Sequence, residues 1–375
     1  MSAGTRLLST RRAMGWWGSL PVGGALRPDL SGDKPPPSAP GGKLTHHRRW
    51  AIPHPGTAAP PATTPASPAA TAPYPVFPNV KTRLILNPRS GPAGRQGSRR
   101  DTIARTLAAL SLDADVVETR GPGDASALAR AALAEGCTRV VAVGGDGTVN
   151  EIARVLAGTD ATLVIVPSGS GNGLARHLRL PLRPQPALAL LRPGAGVVHA
   201  IDTAMANEHF FCNAMGLGFD AEIAARFSRC KGRGLAGYVR TAWQAWCERV
   251  PLTCGIESRE ASWTQPVLLL TIANSDQYGN DVRIAPGASV RDGRLDLVAV
   301  LPVNLAGATT LFARLLLGRL ESDRRVHRVA SAAFRIRRPG PGILHTDGEV
   351  RETGPVIDVR VQPQNLRVLV PAGAP

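Results

Sequence analysis

Aromatic residues make up only 4% of this 375-residue chain. They are not interleaved with basic residues in the manner that stacks bases, which argues against a nucleic-acid partner. Cysteine is also scarce. The five, Cys137, Cys212, Cys230, Cys247 and Cys254, are odd in number and lack CxxC spacing. That pattern argues against a disulfide framework or a thiolate metal site and fits reduced thiols in a cytosolic protein. No apolar run reaches the ~18 residues that a bilayer-spanning helix needs, so membrane contact is expected to be peripheral. Acidic residues are few: 28 Asp and Glu face 44 Lys and Arg, for a net charge of +16. Such a surplus implies an acidic partner, either an anionic membrane surface or a phosphorylated substrate.

What is abundant divides the chain. Residues 1–80 hold fifteen prolines among many Ala, Gly, Ser and Thr, with no sustained period, so they are expected to form a disordered Pro-rich extension. Its opening, MSAGTRLLSTRRAMGWWGSL, is Arg-bearing and acid-free as in transit peptides, and its apolar stretch is too broken for secretion. An extension or a wrongly assigned start codon is the reading adopted. From Lys81 onward strands alternate with helices. Thr82 to Leu86, Asp113 to Thr119, Thr138 to Val143 and Ala161 to Val166 read as strands. A helical face at Ile103, Leu107 and Leu110, and a helix from Asp124 to Leu133 closed by Gly136, lie between them. The spacing predicts a mostly parallel sheet covered on both faces, with ligands bound beyond the carboxyl ends of its strands. Beyond about residue 200 the pattern predicts antiparallel strands, among them Phe210 to Ala214, Val267 to Ala273, Val356 to Val361 and Leu366 to Val370. Two helical stretches are expected within them, one from about Gly234 to Arg249 and one in LAGATTLFARLLLGRLESDRRVHR. The second sets leucines against arginines, as in either an interfacial helix or a core helix with a basic outer face.

The most informative stretch is VVAVGGDGTVNE, Val140 to Glu151. An apolar strand stops at Gly144, Gly145, Asp146 and Gly147, and Val149, Ile152, Ala153 and Leu156 then recur at helical spacing. A strand, a glycine loop and a helix N-terminus aim backbone N–H groups at one point. That point suits phosphate, with Asp146 available for a cation or its water.

Six strings follow one another in order: NPRSG, GGDGTVNE, GSGNGLAR, NAMGLGFDAE, DGRLDL and HTDGE. Together they resemble the diacylglycerol-kinase catalytic-domain superfamily, the lipid kinases that include bacterial diacylglycerol kinases, YegS-like lipid kinases and sphingosine kinases. The resemblance runs from about Lys81 to Val370. It implies a phosphofructokinase/NAD-kinase-like three-layer α/β domain at 81–200, completed by about 364–371. It also implies a C-terminal antiparallel β-sandwich at 201–363 that holds the lipid, with ATP and Mg²⁺ between the two. By the same resemblance, Asn87, Ser90, Thr119, Gly144, Gly145, Asp146, Gly147, Thr148, Asn150, Glu151 and Ser170 are nucleotide-binding positions. Asp292 matches a magnesium site completed largely by backbone carbonyls. Asp347 and Glu349 match a catalytic pair, one of them the base, and Asp146 joins them as the most important side chain of the loop.

The implied activity is ATP-dependent phosphorylation of a hydroxyl on a diacylglycerol-like or long-chain-base-like lipid, by a cytoplasmic enzyme working peripherally at the membrane. Relatives that act on diacylglycerol often carry Asp after GTxN, where this chain has Gly173, which leans toward other lipid hydroxyls. Asp220 is either a polar residue near the lipid or a helix cap. The histidines, such as His177, His199 and His209, have no metal-ligand spacing. An exposed sheet edge leaves room for a homodimer. Two alternatives are an NAD-kinase-like phosphotransferase with a soluble substrate and a nucleotide-binding regulator without turnover. The contiguous Asn150-Glu151 argues against the first, and the intact Asp146, Asp347 and Glu349 argue against the second.

Overall fold

The computed structural model describes residues 81–91, 96–229, 245–280 and 282–375. The Pro-rich extension and most of the helix expected from Gly234 lie outside them. Four strands, β1 (Thr82–Leu86), β2 (Asp115–Glu118), β3 (Arg139–Gly144) and β4 (Thr162–Pro167), form a parallel sheet in the order β2-β1-β3-β4. Residues 82–86 of β1 are all buried, as is β3 from Val140 and β4 from Leu163, the signature of strands covered on both faces. From β1 the chain steps one way to β2 and then the other way to β3 and β4. Right-handed crossovers therefore place α1 (Gln96–Ala109) on one face, and α2 (Asp124–Ala134) and α3 (Asp146–Leu156) on the other. Accordingly α2 packs on α3, while α1 packs on α5 (Pro184–Ala189), which follows the short α4 (Gly173–His177).

The second half is antiparallel. Five strands come first: β5 (Gly196–Ala206), β6 (His209–Phe211), β7 (Ala214–Gly218), β8 (Leu252–Glu257) and β9 (Ser262–Val267). Then come β10 (Leu269–Ala273), β11 (Leu295–Val300), β12 (Val326–Ser331) and β13 (Ala333–Arg337). The set closes with β14 (Gly342–Thr346), β15 (Glu349–Thr353) and β16 (Val356–Pro371). One sheet of six strands runs β12-β11-β10-β7-β14-β15, and the other prolongs the parallel sheet as β4-β16-β13-β8-β9. Their facing sides enclose Phe211, Leu217, Ile256, Ile272, Phe334 and Ile336. On β13 the alternation is plain: Phe334 and Ile336 point inward, while Arg335 and Arg337 face out to Asp358 and Glu257.

The architecture is thus an α/β domain with a parallel sheet followed by an antiparallel β-sandwich. β16 belongs to both: Ala333↔Arg360 to Arg337↔Val356 pair it with β13, and Arg367↔Thr162 and Val368↔Leu163 pair it in parallel with β4. The segments expected separately at 356–361 and 366–370 are one strand, because the irregularity between them is a bulge with Gln364 at φ 49° rather than a chain break. The leucine–arginine helix is shorter than its sequence suggests. As α7 it spans Leu305–Leu316, Gly318 at φ 64° ends it, and His327 and Arg328 are in β12. Asp124 opens α2 but does not cap it; its carboxylate turns back to accept Arg120 and Gly121 N–H. The four cysteines among the described residues are free thiols, and no helix there is long and apolar enough to cross a membrane.

Candidate active site

The order β2-β1-β3-β4 reverses direction between β1 and β3, so a crevice opens beyond their carboxyl ends. Three loops meet there. Asn87, after β1, donates its side-chain amide to Thr148 Oγ1 at 2.9 Å. Ser90 Oγ lies 2.6 Å from Ser168 Oγ in the loop after β4. Backbones touch directly between the second and third loops, where a Cβ on Gly169 would stand 2.6 Å from Gly145 Cα; within the second, a Cβ on Gly144 would stand 2.4 Å from the Thr148 side chain. Only glycine fits at either position, and the glycine string is therefore a packing requirement as well as a route for a ligand to the backbone.

Asp146 is the first residue of α3. Its two carboxylate oxygens accept the backbone N–H groups of Asn172 and Gly173, each at 2.8 Å, which fixes the GSGN loop at the start of α4. Burial raises its pKa. The two N–H groups oppose that shift and nearby Asp347 adds to it, and the net effect is upward.

Asp347 comes from the other sheet. With Gly348 it forms the β14–β15 turn, both residues having positive φ, 49° and 85°, as a two-residue hairpin of Asp-Gly type requires. Its carboxylate accepts the N–H groups of Cys212, Asn213 and Ala214, each at 2.9 Å, and the side-chain amide of Asn150 at 2.7 Å. The Cys212 thiol adds a contact at 3.3 Å, and burial, reinforced by this carboxylate, keeps that thiol well above its usual pKa. Every strong acceptor direction of Asp347 is thus taken by the protein.

Glu349, two residues on, differs. Its only side-chain partner among the described residues is Arg351, on Oε2, and a Cβ placed on Gly147 would come 3.7 Å from Oε1. This carboxylate faces the glycine loop with one oxygen open. Burial raises its pKa; Arg351 and Arg154 oppose that shift, Glu151 and Asp347 add to it, and the net effect is upward.

Beneath the turn lies a polar cluster that sequence reasoning assigned only in part. Asp220, at the start of α6 (Phe219–Arg229), accepts bonds from Tyr278 OH at 2.6 Å and Thr271 Oγ1 at 3.1 Å, and pairs with His345 Nε2 at 3.0 Å. The other ring nitrogen of His345 lies 3.4 Å from Gly348 N. Asp220 is therefore neither a simple helix cap nor free for ligand. The partnership was hidden because 125 residues separate Asp220 from His345; the only cue was a histidine inside HTDGE. A second such pair, His177 Nδ1 with Asp276 at 2.7 Å, ties α4 to the sandwich.

The remaining expected positions spread more widely. Thr119 is buried at the end of β2, and its N–H bonds Leu86 O. Ser170 is exposed at the loop tip. Glu151 turns away from the crevice and accepts the N–H groups of Gly123 and Ser126 at the start of α2. Asp292 is exposed in another turn, near Asp202, whose oxygens accept Gly293 and Gln364 N–H. Among the described residues no cluster of three or more His, Cys, Asp or Glu side chains could hold a metal. An ion at Asp292 would need backbone carbonyls and water.

The same halves are found in known proteins. The diacylglycerol kinase catalytic domain model matches residues 81–206, and the YegS C-terminal NAD kinase beta sandwich-like domain model matches 213–370. A Pseudomonas fluorescens protein named "Probable lipid kinase YegS-like" is 33% identical over 301 residues, 79% of this chain and 97% of its own length. One of the same name from Xanthomonas axonopodis pv. citri is 30% identical over 312 residues, 78% and 97%. The crystal structure of a diacylglycerol kinase from Bacillus anthracis shares the fold, with a TM-score of 0.59 at 20% identity over 79% of this chain and 98% of that one. With one half matching each domain model and relatives aligned along nearly their whole length, the chain belongs to the YegS-like lipid kinase family.

Proposed function

We propose that the protein transfers the γ-phosphoryl group of ATP to a hydroxyl of a diacylglycerol-like or long-chain-base-like lipid presented at the cytoplasmic face of a membrane. The observation that carries this reading is the meeting of the Asp146 loop with the open oxygen of Glu349 across the crevice. The three glycine- and serine-bearing loops suit a triphosphate, and Asp146 supplies one carboxylate for a Mg²⁺ that arrives with it. Mg-ATP would contribute the phosphoryl donor and neutralise its charge. The chain's own part is to position and to accept a proton. Glu349, with its raised pKa and unengaged oxygen, takes the hydroxyl proton as the lipid oxygen bonds to the γ phosphorus; the bridging oxygen departs with ADP. Asp347, its carboxylate already bonded on all sides, positions the turn that carries Glu349.

Gly173 bears on the lipid. A Cβ there would stand 2.7 Å from Asn213 Nδ2 and 2.9 Å from Tyr278 O, so the carboxylate that many diacylglycerol kinases carry has no room in this packing. That supports an acceptor other than diacylglycerol. The test is mass spectrometry of a total lipid extract incubated with the enzyme and Mg-ATP. Products heavier by one phosphate support the proposal and identify the acceptor. Phosphate transfer to NAD but to no lipid would overturn it.

A further inference from the structure

Among the described residues seven large hydrophobic side chains are exposed, and four of them, Leu305, Phe312, Leu316 and Leu317, lie on α7 or at its C-cap. Leu305, Thr309, Phe312 and Leu316 follow one another at i, i+4, i+7 and i+11, which is a single stripe along the helix. The opposite side is anchored: Gly307 and Leu311 are buried, Leu311 against the cluster of Leu268, Val298, Val300 and Leu320. The outer face carries no charge. Its two threonines have no need of water, because both hydroxyls donate to Ala306 O at 2.9 Å. Beside Arg249, whose guanidinium reaches Val303 O, Val250 is 82% exposed and extends the apolar surface at the N-terminal end.

Charge is confined to the rim. Arg314 is half-buried beside Asp323 at 3.8 Å. Arg319 and Arg324, beyond the C-terminal end, are exposed and have no ion-pair partner among the described residues. A helix with an uncharged apolar outer face, an anchored inner face and unpaired arginines at one end suits a bilayer interface, where side chains enter the acyl boundary and guanidiniums meet headgroup phosphates.

We propose that the outward face of α7 docks the protein on an anionic lipid bilayer. Charge complementarity selects this occupant: Arg319 and Arg324 at the rim have no ion-pair partner among the described residues and match the phosphates of anionic headgroups. Leu315, on the inner side of α7, packs with the cluster that also includes Phe219 and Tyr278. The docked face and the Asp220 network beneath the candidate active site therefore share one core. The link to a lipid acceptor rests on the proposed kinase reaction, whereas docking can be measured without nucleotide, so each idea can fail alone.

The experiment is co-sedimentation of the full chain with phosphatidylcholine vesicles, with and without phosphatidylglycerol, at low and high salt. Binding that requires phosphatidylglycerol and weakens with salt is expected. Phe312→Glu/Leu316→Glu should lose roughly tenfold or more in partitioning. Arg319→Glu/Arg324→Glu should lose the phosphatidylglycerol dependence. Val356→Glu, an exposed apolar site elsewhere, should bind as the parent does, and matching melting curves guard against misfolding. The proposal is overturned if Phe312→Glu/Leu316→Glu binds like the parent. It is also overturned if sedimentation velocity shows a dimer that this variant dissolves, because the face would then belong to a second copy.

Discussion

Asn150 donates its side-chain amide to Asp347 at 2.7 Å, joining the helix that follows the glycine loop to a hairpin turn of the sandwich. The glycine loop and the hairpin turn are thereby held in one register, and the same carboxylate fastens three successive N–H groups at 212–214.

Removing that junction should cost stability as well as turnover. Asn150→Ala is expected to lower unfolding free energy by about 1–3 kcal/mol, and Asp347→Asn by more, because an amide NH₂ would oppose N–H donors. Urea denaturation checks both. An Asp347→Asn protein as stable as the parent but inactive would assign Asp347 to the chemistry instead.

Glu349→Gln should cut turnover by ~10²–10⁴ with little change in melting temperature. The parent's kcat/KM should fall toward acid pH with a midpoint above the usual glutamate range, since burial raises this group's pKa. A pH-rate profile of the Gln variant that keeps the same acid limb would move the base elsewhere.

At Asp146 two roles separate. Losing the bonds to Asn172 and Gly173 should cost about 1 kcal/mol, as for other helix-start carboxylates. Turnover should fall far more, by roughly 10²-fold or beyond, through lost charge neutralisation. Calorimetric titration of Asp146→Ala with Mg-ATP, compared with ATP in chelator, tests whether the metal-dependent part of binding vanishes.

For Asp220 and His345 the expectation concerns pH. Burial disfavours the charged form of each, yet the pairing outweighs it, raising the histidine and lowering the aspartate. The histidine's contribution to stability is present below its unfolded pKa of about 6.5 and is lost as pH rises through its folded value. The aspartate's contribution is present above its unfolded pKa of about 3.9 and is lost as pH falls through its folded value. Melting temperature should therefore decline above neutrality, and His345→Gln should flatten that decline. An unchanged pH dependence in the variant would remove the charged pair from the account.

Much of this was written in local pattern. Strands β1, β3 and β4 announce themselves as apolar runs ended by glycine or proline, and the buried face of α3 follows from Val149, Ile152, Ala153 and Leu156. Motif order foretold the sandwich and the pairing of the GGDG loop with the HTDGE turn. Other parts were illegible. β5 and β14 are partly polar and buried by pairing rather than by composition, so no period marks them. Glu151 sits in the motif but serves α2, because neighbours in sequence on a helix point to different sides. The Asp220–His345 contact depends on how two distant segments pack, which spacing does not encode.

The long β16 has a consequence for synthesis. Its last residues fill the place beside β4, so the nascent α/β half leaves the ribosome with a bare sheet edge that is sealed only after the sandwich has been made. Deleting residues 366–371 should therefore yield aggregation-prone protein, rather than a trimmed but working N-terminal half.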